Sequence, residues 1–138
     1  MNLTSLITDN ISEILMKIIE FTQARQKILA QNITNLHTPG FVPQELGVDE
    51  FSDLLHNAID EHIRTQRLIL HDSANIKFGL SGSFKVKPIN DEIGKELLKE
   101  NRDEYIELQI NKLWENSLNQ KMAAELLRQK QEFISSDY

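Results

Sequence analysis

The chain has no cysteine. That excludes disulfides, thiolate metal sites and cysteine nucleophiles. It also lacks an apolar run near the ~20 residues that a membrane-spanning helix needs. Basic charge is not in excess. Fifteen Lys and Arg stand against 21 Asp and Glu, for a net charge of -6. Phosphate neutralisation calls for clustered cations, so a general nucleic-acid binder is not expected. The charges of both signs are mixed along the chain and read as a solvated surface. Residues 1–20 carry no basic segment ahead of their apolar positions, and Asp9 and Glu13 interrupt them. No Sec-type signal peptide is expected there.

Catalytic and ligand-holding patterns are also missing. The four histidines are His37, His56, His62 and His71. His56 and His62 are six apart, which sends them to different faces of a helix, whereas a helical zinc pair favours a spacing of four. Asp53, His56 and Asp60 share a helix face but read more simply as surface. Gly79-x-x-Gly82 is too short for a phosphate loop and lacks its Lys-Ser/Thr ending. Glu96, Glu100 and Glu104 alternate with Lys95 and Lys99, as on a solvated helix. No catalytic residue, metal site, cofactor or small-molecule ligand is expected. The chain reads as an assembly protein and not an enzyme.

Proline and glycine are scarce, three and five residues, and all eight lie between positions 39 and 94. Both ends are therefore free of helix breakers. From Leu3 to Leu36 apolar residues recur in steps of three and four: Leu3, Leu6, Ile7, Ile11, Ile14, Leu15, Ile18, Phe21, Ile28, Leu29, Ile33 and Leu36. One long amphipathic helix is predicted, roughly 50 Å in length at ~1.5 Å per residue. Pro39 stops it and Gly40 supplies a positive φ for the turn. Pro43 makes 41–47 extended. Asp49 is placed as the cap of a short helix with Phe51, Leu54, Leu55, Ala58, Ile59 and Ile63 on one face. Ile76, Phe78 and Leu80, then Phe84 and Val86, alternate around two glycines as a small hairpin.

Helix returns after Asn90, with Gly94 arguing against a single unbroken one. Asn101 with Glu104 forms a capping pair for a helix reaching about Ile134. Its apolar positions form a broad stripe that Asn116, Ser117 and Gln120 interrupt on one side. The fold class is mainly α. Two long terminal helices, 1–38 and 101–138, pack as a helical-hairpin or coiled-coil layer around an irregular insert, 39–100, that holds a hairpin. Such broad stripes are too wide for one helix pair to bury, and the remainder marks a partner surface.

Asn32 and Asn35 stand beside the apolar stripe where the first helix ends. They either cap carbonyls around the Thr-Pro-Gly turn or hydrogen-bond across a helix–helix interface and fix its register. The residues alone leave both open.

The run Ala30-Gln31-Asn32-Ile33-Thr34-Asn35-Leu36-His37-Thr38-Pro39-Gly40-Phe41, preceded by Arg25 to Leu29, resembles the N-terminal signature of bacterial flagellar basal-body rod proteins. That signature runs A-x-N-[IL]-x-N-x-x-T-P-G-[FY], and every fixed position is met. Leu46, Phe51 and Leu55 after the turn, the short chain, and Ile106, Ile110, Leu113, Glu115-Asn116 and Leu118 near the end look like the proximal-rod B-type branch. The likeness covers about 21–55 and 104–134. The Asp-Gly-Asn segment usual before the last helix is replaced by Glu100-Asn101-Arg102-Asp103.

The resemblance implies a structural subunit of the proximal rod, located in the flagellar basal body across the periplasm. It implies export by the flagellar type III apparatus without a cleaved signal peptide. The implied partners are copies of itself, other rod proteins, and the rod-base and export-gate proteins. Subunit contacts would fall on Ile28, Asn32, Ile33 and Asn35, on Thr38, Pro39, Gly40 and Phe41, and on Ile110, Leu113, Asn116, Leu118, Leu126 and Leu127. Leu113, Leu118, Leu126 and Leu127 are expected on the packed face of the last helix. A C-type proximal-rod protein and a non-flagellar coiled-coil adaptor are the alternatives, and a peptidoglycan hydrolase the remotest one.

Overall fold

The computed structural model describes residues 3–79 and 83–136, with side chains described for 10–79 and 83–132. Helix α1 runs Leu3–Thr34, as the uninterrupted 3- and 4-residue apolar spacing predicts. Leu3, Leu6 and Ile7 of that stripe lie outside the described side chains. After α1 come strand β1 (Gln44–Glu45), helix α2 (Val48–Thr65), strands β2 (Ile76–Lys77), β3 (Lys85–Val86) and β4 (Ile89–Asn90), helix α3 (Glu92–Glu100) and helix α4 (Arg102–Ser136).

The two long helices are antiparallel neighbours. Asn32 near the end of α1 meets Gln109 near the start of α4, and Thr22 meets Asn116 two turns further on. This is the predicted helical-hairpin layer. The predicted hairpin also forms, with Ile76 paired to Val86 and Lys77 to Lys85. Leu80 and Gly82 of that hairpin lie outside the described residues. A second antiparallel pair, β1 with β4, joins Gln44 to Asn90 and Glu45 to Ile89.

The insert builds its own core on α1. Phe21, Leu46, Phe51, Leu55, Ile76 and Phe78 are buried together. Phe21 and Phe51 stack with ring centroids 4.1 Å apart, and Phe84 meets Phe51 edge-on at 6.3 Å. Such aromatic pairs add ~1 kcal/mol each beyond their buried area. The Glu50 carboxylate accepts hydrogen bonds from Ser73 Oγ, Asn75 N and Asn75 Nδ2. The Ser73 bond, ahead of the two from Asn75, holds its carboxyl below the ordinary value. The irregular chain after α2 is thereby tied to the start of that helix.

Helix starts follow local chemistry, with one correction. Asp49 does not cap α2. The cap position is Gly47, with no side-chain bond, and Asp49 sits in the first turn, where its charge faces the positive helix end. Asp91 caps α3 by accepting from Gly94 N at 2.9 Å. A β-carbon at Gly94 would stand 2.5 Å from Asp91 Oδ2, so the glycine leaves room for its own cap. Asn101 ends α3 in extended conformation and starts α4, its Oδ1 accepting from Glu104 N at 3.2 Å. No helix among the described residues is long and apolar enough to cross a membrane.

Candidate assembly surface

The seam between α1 and α4 is polar at its centre. Asn32 is 1% exposed, and Gln109 and Tyr105 are fully buried. Asn32 Nδ2 donates to Gln44 O at 2.7 Å and to Gln109 Oε1 at 3.0 Å, and Asn32 Oδ1 accepts from Gln44 N at 3.0 Å. The amide thus pairs with the backbone of β1 as a neighbouring strand would. Tyr105 Oη donates to Asn32 O at 2.8 Å. Burial, with the charge of Asp91, pushes the Tyr105 phenol up to about 12. Further along, Asn116 is 1% exposed and donates through Nδ2 to Thr22 O at 2.8 Å and to Gln26 Oε1.

These positions resolve the two amides of the signature differently. Asn32 is an interface residue, but the interface lies within the chain. Its bonds and Asn116's run to the chain's own α1, β1 and α4, so these two leave the set of side chains open to a neighbour. Asn35 takes the capping role. Its Nδ2 donates to Gln31 O at 3.0 Å, and its Oδ1 accepts from Thr38 Oγ1. Thr38 to Phe41 then form a tight turn closed by Phe41 N to Thr38 O at 3.2 Å, with Gly40 at φ 75°. Pro then Gly of positive φ at its centre is a type II turn. Thr38, Pro39 and Gly40 are exposed, while Ile28, Ile33 and Phe41 are half-buried. Arg102 at the start of α4 donates to His37 Nδ1 at 2.9 Å, pinning the turn to the second helix.

An ionic network flanks the amides. Arg25 Nε and Nη2 reach Glu45 Oε1 and Oε2 at 3.0 and 3.1 Å. Lys112 Nζ lies 3.2 Å from both Glu45 Oε2 and Asp91 Oδ2. Burial pushes the Glu45 carboxyl up, but the Arg25 hydrogen bond and charge, the Leu46 amide and Lys112 together outweigh it. Glu45 therefore sits below its ordinary 4.5. The network ties α1, β1, α3 and α4 into one unit.

The large apolar side chains of α4 lie elsewhere. Its inward face carries Tyr105, Gln109, Asn116 and Ala123, all buried. Ile110, Trp114, Leu118, Met122 and Leu126 are exposed, with 67% for Trp114 and 62% for Met122. The broad stripe therefore turns its amide-interrupted side inward and its apolar side outward. Leu118 and Leu126 correct the expectation that they lie on the packed face, and Ile110 is likewise exposed. Leu113 and Leu127 are half-buried. The five exposed residues are spaced by four. Each step advances ~40° around the helix, so the row crosses the outer face obliquely as a ridge suited to a facing groove. Trp114 and Met122 belong to the broad apolar stripe of α4, which was their only signal. Gln109, Tyr105 and the ionic network carried none.

Beside the ridge, α1, α2 and α4 enclose a groove of about 360 Å³. Leu15, Ile18, Phe21, Phe51 and Leu55 line it, with Met122 and Leu126 of the ridge on one wall. An exposed apolar ridge therefore stands beside a largely apolar groove. Comparison of the chain with family models, with curated proteins and with solved structures finds no match.

Proposed function

We propose that the chain is a structural subunit of the proximal rod of the bacterial flagellar basal body, most like its B-type member. The observation that carries this reading is the outward ridge of α4 on a helix pair whose own seam is closed by buried amides. A seam fixed by Asn32 and Gln109 keeps the two helices in one register, and the ridge is then presented rigidly to neighbours. The signature from Ala30 to Phe41 supports the same reading. In this chain it makes the helix end, the strand pairing of Asn32 and the type II turn. Packed interiors resist compression, so repeated contacts of this kind would carry torque along a rod.

On this reading the chain reaches the periplasm through the flagellar type III apparatus and joins copies of itself and other rod proteins. It performs no catalysis. Deleting the gene and imaging basal bodies tests it. Basal bodies that lack a rod support the proposal, and complete rods with normal swimming contradict it. Crosslinking in isolated basal bodies separates the B-type from a C-type member by the neighbours captured. Secretion independent of the flagellar apparatus would favour a coiled-coil adaptor.

A further inference from the structure

We infer that residues 117–132 of α4 form a strap that undocks from α1 as a unit while 102–116 stays in place. The inference concerns the free chain and does not depend on the flagellar reading. In the dominant closed state the strap lies on α1 and presents its part of the ridge. The open state is a minor one, reached by local unfolding.

The two halves of α4 are held differently. The first is bonded to other elements throughout. Arg102 reaches His37, Tyr105 Oη reaches Asn32 O, Gln109 meets Asn32, Lys112 meets Glu45 and Asp91, and Asn116 reaches Thr22 O. Beyond Asn116 the side-chain bonds of Arg128 and Gln129 stay within α4, on Glu125 and Glu132. Ala123 is the one buried side chain described between 117 and 132. Its methyl removes little apolar area from water, whereas Tyr105 buries a whole ring. The boundary is itself imperfect. Asn116 Oδ1 is buried without a donor, so the seam loses stability where the strap begins.

The groove lies under the same half. The part of α4 that lines it is Asn116, Asn119, Met122, Ala123 and Leu126, all at or beyond that boundary. The strap therefore rests on α1 along one side and spans a gap along the other. Helix α1 does not need the strap to stay ordered. Ile14, Ile18 and Phe21 pack into the core of the insert, and Lys17 is buried with its Nζ 3.5 Å from Phe78 O. Release of the strap uncovers Leu15 and the apolar floor formed by Phe21 and Phe51. The strap thus governs access to the groove.

A helix of about four turns is marginal in water without packing, so an undocked strap melts and its amides exchange. Hydrogen exchange of the full chain should show 117–132 faster than 105–116 by roughly tenfold or more, with the step at Asn116. The strap amides should share one degree of protection. Protection that decays steadily inward from 132 is simple end fraying and would overturn the inference, as would equal protection of the two halves. The chain lacks cysteine, so a single introduced thiol reports alone. Ala123→Cys should react with a thiol reagent faster than Ala58→Cys by roughly tenfold or more, because Ala58 on α2 is 0% exposed and opens only with the whole chain. Asn119→Leu adds an apolar side chain to the groove wall and should slow the reaction of the Ala123→Cys thiol several-fold. Equal rates at the two thiols, or an Ala123→Cys rate that Asn119→Leu leaves unchanged, would overturn the inference.

Discussion

Asn32 on α1 donates to Gln109 on α4 at 3.0 Å with both side chains out of water. The same amide also makes two bonds to the backbone of Gln44. One side chain therefore sets the relation of three elements. Asn32→Leu would orphan Gln44 N, Gln44 O and Gln109 Oε1 at once. The expected loss is about 3 kcal/mol, read as a lower urea midpoint of the purified chain. An unchanged midpoint would mean that the seam amides do not hold the helix pair.

Gly40 holds φ 75° with open space around its missing β-carbon. Substitution there is penalised by backbone strain alone. Gly40→Val should cost about 2 kcal/mol and Gly40→Asn clearly less, because Asn tolerates the left-handed region. Thermal melts of the two variants check the order. Gly40→Val is also expected to abolish motility without abolishing expression.

Glu45 supplies an acid-side prediction. Its folded pKa lies below the ordinary 4.5 because the Arg25 and Lys112 contacts outweigh burial. A carboxylate depressed on folding adds stability above its unfolded pKa, and the gain is lost as pH falls through the folded value. Stability should therefore drop below about pH 4.5. Glu45→Gln should be weaker at pH 7 and flatter across that window. Breaking this part-buried pair leaves Arg25 without its closest counter-charge and costs ~1–3 kcal/mol at neutral pH. Denaturant titrations at pH 7 and in the acid range compare the two chains.

Tyr105 supplies the alkaline counterpart. Its phenol is raised to about 12, so the unfolded chain releases this proton first. Its contribution is complete below the unfolded value near 10 and declines as pH rises towards about 12. Ultraviolet titration should show one late tyrosine in the folded chain. Tyr105→Phe should remove that late transition and cost about 1 kcal/mol from the lost bond to Asn32 O.

The parts of the fold set by neighbouring residues were legible in the sequence. Unbroken apolar spacing gave α1, Pro39 and Gly40 gave the turn, and Asn101 with Glu104 gave the start of α4. Parts that depend on distant partners were not. The pairing of Gln44 with Asn90 joins residues 46 positions apart, and extended character at Pro43 says nothing of a partner strand. Asp49 has the chemistry of a cap, but the chain leaves Gly47 at that position and carries Asp49 into the helix. The apolar breadth of α4 was visible, but its orientation was not. A stripe records which residues avoid water and not which neighbour covers them. The bonds of Asn116 to Thr22 O and of Gln109 to Asn32 show that the amide side faces inward. Legibility of the surface followed the same division. Ile110, Leu118 and Leu126 were legible as apolar positions of the last helix, with Leu118 and Leu126 expected on its packed face. Packing against α1 was needed to turn them outward.

The central claim is that the outer ridge of α4 joins subunits in a flagellar rod. The most direct measurement is the content of purified basal bodies from cells making the wild-type chain or Leu118→Arg. Leu118 is half exposed, so its replacement should leave monomer stability within ~0.5 kcal/mol. The account predicts wild-type chain in the rod, and a Leu118→Arg chain that is made and exported, is absent from the rod, and leaves cells non-motile. Wild-type chain missing from basal bodies, or Leu118→Arg built into a working rod, would contradict it.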